Sequence, residues 1–180
     1  MRTLTVAALS ASPHEPSKTT ALLDTVMAAF REATPLREER LLMTEIAPAL
    51  GQSLTRDGVG DVAKRALDTV EGCDLLVVTT PIYRATYTGM FKHFFDLVGQ
   101  DALEGTPVFL SAIGGNLSHA LSIDHQLRPL FAFFRAVALP EGVFAEGADF
   151  SGHQPGEPLQ RRARAAVERA MPLVECLTGE

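Results

Sequence analysis

The chain has 180 residues, of which 46% are hydrophobic and 21% charged, as expected for one ordinary globular domain spanning residues 1–180. Its formal net charge is −6 and no basic cluster stands out, which argues against nucleic-acid binding. Cys73 and Cys176 are too few for a disulfide framework, so we expect a cytoplasmic location. No run of about 18 apolar residues predicts a membrane span.

The first third of the chain opens with a strand and a helix. A short β-branched run over residues 3–9 predicts a buried strand, and apolar residues at helical spacing predict a helix that begins with Ser17 or Thr19 as its N-cap. Residues 36–43 are charged and predict a short peripheral strand, after which residues 46–58 predict a loop.

The middle of the chain repeats the same alternation. Residues 61–71 predict a helix, and residues 73–80 predict a strand buried on both faces, which Pro81 ends. A helix over residues 89–98 precedes another apolar strand over residues 107–113.

The last third predicts two more helices around a final strand. Helical periodicity covers residues 117–134, residues 136–144 contain the strand, and residues 158–177 form an amphipathic helix that Pro172 should kink. The basic run over residues 161–164 lies on this helix and is expected to be a solvated face.

Strands that alternate with helices predict a parallel sheet with helices on both faces, an α/β fold in three αβα layers. Five strands in this length favour a flavodoxin-like fold, with a five-stranded parallel sheet in the order 2-1-3-4-5. In such sheets the ligand lies outside the carboxyl ends of the strands, where the strand order reverses. That rule selects three loops, at residues 10–19, 81–88 and 112–117.

The first loop is rich in hydroxyl side chains and leads into a helix N-terminus, where free N–H groups and the helix dipole favour an anion. It lacks the glycine patterns of nucleotide-triphosphate and dinucleotide loops, so hydroxyls would supply the donors for a phosphate. An ordinary N-capped loop is an equally good interpretation of this segment alone.

The second and third loops can accept a flat ring. Tyr83 and Tyr87, the only tyrosines, fall at the predicted ligand edge, although half-buried surface tyrosines are the simpler interpretation. Gly114 and Gly115 remove side chains where a ligand could approach the backbone, or they mark only a turn.

Three segments together resemble a known family. Residues 10–17 read SASPHEPS, residues 81–92 read PIYRATYTGMFK and residues 112–115 read AIGG. They look like the NADPH-dependent FMN reductase family, with a likeness that covers most of residues 3–146. The resemblance is closest to the reductases that supply reduced FMN to two-component alkanesulfonate and methanesulfonate monooxygenases. It implies FMN with NADPH or NADH, and a flavin-dependent monooxygenase as partner.

The resemblance also implies a set of binding residues. In that family the first motif holds the FMN phosphate, the Pro-x-Tyr segment lies along the flavin ring and the Gly-Gly loop contacts its pyrimidine side. The cofactor-binding residues expected here are Ser10, Ser12, Pro13, Ser17, Lys18, Thr19, Pro81, Ile82, Tyr83, Arg84, Gly114 and Gly115. Lys18, Arg84 and Lys92 are candidates for the phosphates of the pyridine nucleotide. His14 departs from the pattern, because the family usually has arginine there.

Residues 121–127 resemble a segment in which some relatives carry a one-residue insertion that forms a π-helical turn at a tetramer interface. The resemblance would put His125 at the insertion, near a neighbouring subunit's flavin, although an exposed helix histidine is an equal alternative. A homodimer or homotetramer is also expected from the apolar surface of the predicted helix. One contact with the sheet cannot bury all of the surface that is presented by Leu130, Phe131, Phe133 and Phe134.

Direct hydride transfer from a nicotinamide to FMN is the leading hypothesis, and it needs no catalytic acid or base. The histidines and cysteines lack metal-ligand spacing, so no metal is expected. An FMN-bound quinone-, azo- or chromate-type reductase of the same fold is the alternative. A non-enzymatic flavodoxin-like electron carrier is a third interpretation.

Overall fold

The fold is a parallel β-sheet between two layers of helices, seen in a computed structural model that describes residues 2–179. Within these residues the sheet order is β2-β1-β3-β4-β5, and β6 also pairs with β4. The strands of this sheet are β1 (Leu4–Ser10), β2 (Leu36–Leu42), β3 (Leu75–Pro81), β4 (Pro107–Gly114), β5 (Val137–Ala138) and β6 (Val143–Glu146). The predicted order and the flavodoxin-like fold class are confirmed.

The helices cover both faces of the sheet. They are α1 (Lys18–Ala33), α2 (Met43–Leu50), α3 (Asp61–Glu71), α4 (Gly89–Asp96), α5 (Arg128–Phe133) and α6 (Glu157–Thr178). One apolar layer unites α1 and α6 with the sheet and contains the edge-to-face pair of Phe30 and Phe109, whose ring centroids lie 5.3 Å apart. The other layer contains α3, α4 and α5, and in it the ring centroids of Phe95 and Phe131 lie 5.0 Å apart. Burial on both faces explains why β3 and β4 are mostly apolar.

The loop predicted over residues 46–58 is wrong in its first part, because α2 occupies Met43–Leu50. Pro48 inside this short helix removes the usual helical signal. The helix forms nevertheless, because Met43, Ile46 and Leu50 recur at helical spacing and are buried against the core.

The predicted fifth strand is two short strands on the free edge of β4. β5 pairs with Pro107 and Val108, whereas β6 pairs with the segment from Ser111 to Gly114. Gly142 lies between them, and a Cβ there would come within 2.6 Å of the Leu110 carbonyl oxygen. The backbones approach so closely that only glycine fits at this position.

The continuous helix predicted over residues 117–134 is also wrong. A 3₁₀ turn (Leu117–His119), a π-helix (Ile123–Leu127) and α5 follow one another instead. In the π-helix the N–H of Arg128 donates to the carbonyl of Ile123, five residues earlier. The π-helical turn implied by the family resemblance is thus present at the expected place.

The C-terminal helix carries its basic residues on a solvated face, as predicted. Arg161 pairs with Glu157 at 2.6 Å and Arg162 with Asp149 at 2.9 Å. The helix α6 continues past Pro172 to Thr178. No helix in residues 2–179 has both the length and the apolar character needed to cross a bilayer.

Candidate functional site

The three predicted loops meet at one cavity of about 280 Å³, beyond the carboxyl ends of β1, β3 and β4. Strand register brings them together, because Ser10 lies opposite Thr79 on β3, and Pro81 lies opposite Ile113 on β4. The cavity is lined by His14, Ser17, Lys18, Thr19, Pro81, Ile82, Tyr83, Ile113, Gly114, Gly115 and His153. It therefore lies where the strand order reverses.

The N-terminus of α1 forms the polar side of this cavity. Ser17 is the N-cap, and its hydroxyl oxygen accepts from the N–H of Thr20 at 3.1 Å. The hydroxyls of Thr20 and Ser10 lie 2.7 Å apart, and both residues are buried. The first turn of a helix leaves N–H groups without intrahelical partners, so this end presents donors to an anion.

The loop before α1 is folded back on itself. The hydroxyl of Ser12 donates to the carbonyl of His14 at 2.7 Å. The hydroxyl of Thr20 donates a short hydrogen bond to the carboxylate of Glu15, and the hydroxyl of Ser17 lies 3.5 Å from the same oxygen. The loop thus contains an acidic side chain among its hydroxyls.

Lys18 joins the site to the segment after β6. Its ammonium group donates to the carbonyl of Gly147 at 3.4 Å and lies 5.8 Å from the ring centroid of Phe150. Phe150 begins a short antiparallel hairpin formed by β7 (Phe150–Ser151) and β8 (Gln154–Pro155). This hairpin carries His153 to the cavity.

The second loop makes a tight turn beside the cavity. The N–H of Tyr83 donates to the carbonyl of Thr86 at 2.8 Å, and the reverse bond measures 3.2 Å. Arg84 and Ala85, the two residues at the centre of the turn, have φ of 52° and 71°. Residues other than glycine rarely adopt this left-handed conformation. The turn leaves Tyr83 48% exposed at the cavity.

The third loop presents backbone to the cavity. A Cβ at Gly114 would lie 2.8 Å from Phe144 Cζ and 2.9 Å from His119 Cβ, so this position needs glycine. A Cβ at Gly115 would meet nothing within 4 Å, so the space beside it is open. A ligand edge can therefore approach the Gly115 backbone.

Some predicted binding residues lie outside the cavity lining. Ser10 and Ser12 are buried, whereas Pro13 and Arg84 are exposed. Lys92 and Tyr87 line another groove between α4 and the segment from the π-helix to α5, and Lys92 pairs there with Asp96.

Sequence reasoning missed three residues of the site. His153 reaches the cavity through the β7–β8 hairpin, whose two-residue strands show no periodic pattern, although Gly152 with φ of 59° marks its turn. Ile113 lines the cavity as the residue before the glycine pair. Glu15 stood in the quoted motif, but its contact with Thr20 depends on how the loop folds.

The sheet order and a cavity at its switch point define a flavodoxin-like protein. A family model for the NADPH-dependent FMN reductases matches residues 4–151, and the chain belongs to that family. It is accordingly an oxidoreductase that transfers electrons from NAD(P)H to FMN.

Relatives and solved structures agree with this assignment. The NADH-dependent FMN reductase SfnE of Pseudomonas putida is 47% identical over 94% of this chain and 92% of its own length. An FMN reductase (NADPH) of Pseudomonas aeruginosa is 44% identical over 93% of this chain and 91% of its own length. The X-ray structure of an oxidoreductase from Corynebacterium diphtheriae superposes with a TM-score of 0.85 at 32% identity, covering 97% and 98% of the two chains.

Proposed function

We propose that FMN binds across the three loops, with its phosphate at the N-terminus of α1 and its ring between the second and third loops. The convergence of these loops on one cavity carries the proposal. The proposed binding residues are Ser10, Ser12, Pro13, Ser17, Lys18, Thr19, Pro81, Ile82, Tyr83, Arg84, Gly114 and Gly115.

The residues of the cavity fit a phosphorylated flavin. The N-terminus of α1 supplies hydroxyls and N–H donors, which suit a phosphate. The exposed ring of Tyr83 and the open backbone at Gly115 suit the faces and edge of a flat heterocycle.

Hydride transfer to the flavin requires no acid or base from the protein's side chains. Bound FMN supplies a flavin nitrogen that accepts a hydride from the nicotinamide. The chain's residues bind the phosphate, orient the ring and leave one of its faces accessible to the donor, which is a contribution of proximity and orientation. We propose no general acid or base and no catalytic metal.

FMN acts as a substrate that leaves in its reduced form, in our proposal. The cavity of about 280 Å³ is slightly smaller than the range of roughly 300–1,000 Å³ for small-molecule sites, so part of the flavin extends beyond it. Such a site suits transfer of reduced flavin to a separate oxygenase, and the family resemblance favours a sulfonate-type monooxygenase.

The single domain over residues 1–180 and the cytoplasmic location also remain predictions.

A second copy of the chain is proposed to cover the apolar surface around the π-helix, in a homodimer or homotetramer. Phe131 and Phe134, which we expected at an interface, are instead buried in the chain's own core, and Leu130 is half-buried. Phe133 remains 63% exposed and lines a groove of about 570 Å³ together with His125. Sedimentation velocity with and without FMN tests this assembly, and a monomer in both conditions would remove the interface role of His125.

Anaerobic stopped-flow measurements test the proposed function. Mixing the protein with FMN and either NADH or NADPH should bleach the visible absorbance of the flavin, at a rate that saturates with the donor. Gel filtration after incubation with FMN should separate the flavin from the protein. Failure to bleach with both donors would contradict the proposal. Flavin that stays bound and supports reduction of quinones, azo dyes or chromate would favour the alternative acceptor reductase.

A further inference from the structure

An acidic side chain lies inside the loop that we propose for the phosphate. Glu15 Oε1 accepts a short hydrogen bond from the Thr20 hydroxyl and lies 3.5 Å from Ser17 Oγ. Ser17 and Thr20 are buried, with no more than 6% of the surface of either residue exposed, and Ser17 is the N-cap of α1. The free protein thus already has a negative group at this helix end.

A carboxylate and a phosphate make the same demands on such a position. Both accept hydrogen bonds without donating any, and both are stabilised by the positive end of the helix dipole. Each hydroxyl has only one proton to donate, so the Thr20 proton that Glu15 receives is not available to another anion. The two negative groups also repel each other at short range.

We infer that the Glu15 carboxylate is an internal competitor for the flavin phosphate. It occupies the hydroxyls at the start of α1 in the free protein and leaves them when FMN binds. This inference rests on the proposed function and deepens it, because it makes Glu15 a residue that sets the affinity for the phosphate rather than for the flavin ring.

Arg40, which is paired with Asp24, is close enough to Glu15 for the two charges to interact. A hydrogen bond from Arg40 to Asp24 raises the pKa of the Arg40 guanidinium, and the nearby charges of Glu38 and Glu15 add to that rise. Glu15 itself is exposed, so its side chain can leave the hydroxyls for solvent without unpacking the core. Displacement therefore moves one side chain and leaves the sheet and α1 in place.

Competition of this kind serves an enzyme whose reduced flavin must depart. The repulsion lowers the affinity for FMN in both of its redox states, because the phosphate is the same in each. Riboflavin lacks the phosphate, so its affinity does not depend on the Glu15 charge. The ratio of the two affinities therefore isolates the effect of Glu15.

The variant Glu15→Gln tests the inference, because it keeps the shape and an acceptor oxygen but removes the charge. Dissociation constants for FMN and riboflavin are measured by quenching of flavin fluorescence. FMN should bind about fivefold more tightly, which corresponds to ~1 kcal/mol for an exposed charge, and the affinity for riboflavin should be unchanged. The inhibition constant of inorganic phosphate against FMN should likewise be lower for Glu15→Gln than for wild type. Glu15→Ala provides a second variant with the same expected direction.

Glu32→Gln is the matched control, since it removes an equal charge from the other end of α1 and should leave both affinities unchanged. Equal FMN affinities in wild type and Glu15→Gln, weaker FMN binding in the variant, or equal tightening of both flavins would overturn the inference alone. A wild-type protein that binds no FMN and reduces none would overturn the proposed function, and the inference with it.

Discussion

The side-chain hydroxyls of Ser10 and Thr20 lie 2.7 Å apart and join the end of β1 to the first turn of α1. Ser17 completes the network, with its Oγ 3.1 Å from both the backbone nitrogen and the hydroxyl oxygen of Thr20. All three residues are buried. Ser10 and Ser17, which we propose for phosphate binding, therefore also hold the loop against the helix.

Replacing Ser17 by alanine should lower stability as well as affinity. The substitution removes the N-cap of α1, which typically costs about 1 kcal/mol of unfolding free energy. It also removes a hydroxyl from the proposed phosphate site. Urea unfolding and FMN titration measure the two effects. Ser17→Asn, which can still cap the helix, should keep most of the stability, and a Ser17→Ala protein as stable as wild type would contradict the structural role.

The adjacent glycines Gly114 and Gly115 should respond differently to alanine. A Cβ at Gly114 meets Phe144 and His119 at less than 3.0 Å, so Gly114→Ala should cost about 1–3 kcal/mol through overpacking. Gly115→Ala has open space in the free protein and should change stability by less than about 0.5 kcal/mol.

FMN titration of the same two variants locates the ring. Gly115→Ala should bind FMN more weakly at unchanged stability, since the added methyl would occupy the space that we propose for the flavin edge. Unchanged FMN affinity in this folded variant would exclude the ring from the third loop.

The position of the site could be predicted from the sequence because it depends on topology. Runs of mostly apolar residues identified β3 and β4, and the turn segments after them meet at the expected edge of the sheet. Ser17 was identified as a possible N-cap because capping depends on local chemistry.

Features that depend on tertiary packing escaped prediction. The helix α2 forms because its apolar face has a core to cover, despite Pro48. The β7–β8 hairpin is too short to show a period, so His153 could not be assigned to the cavity. The contact between Glu15 and Thr20 likewise depends on the folded path of the loop.

Replacing Ala85 by glycine should relieve backbone strain in the turn beside Tyr83. Ala85 has φ of 71°, and a left-handed conformation costs an L-residue roughly 1–2 kcal/mol. After the greater flexibility of glycine in the unfolded chain is subtracted, Ala85→Gly should stabilise the protein by about 0.5 kcal/mol. Ala28→Gly, at an exposed position inside α1, should instead destabilise it by about 1 kcal/mol. Urea unfolding compares the two, and loss of stability in both would refute the assigned turn conformation.

The segment that carries His153 should become less firmly held at acid pH. Burial acts to raise the pKa of Asp149, but hydrogen bonds from Arg162 and from the N–H of Glu146, together with the Arg162 charge, hold it below its ordinary value. A depressed pKa contributes stability above the unfolded-state value of about 3.9, and this contribution is lost as pH falls through the folded-state value.

Asp149→Asn should therefore be less stable than wild type at pH 7. The difference should shrink as the pH falls below about 3.9, where the carboxylate is protonated in the unfolded chain, and vanish below the lower folded-state pKa. Urea unfolding at several pH values measures this difference. Arg162→Gln should reduce the pH dependence in the same way, because it removes the charge that favours the carboxylate. A difference between wild type and Asp149→Asn that stays constant from pH 7 to pH 3 would show that the ion pair does not anchor the segment leading to His153.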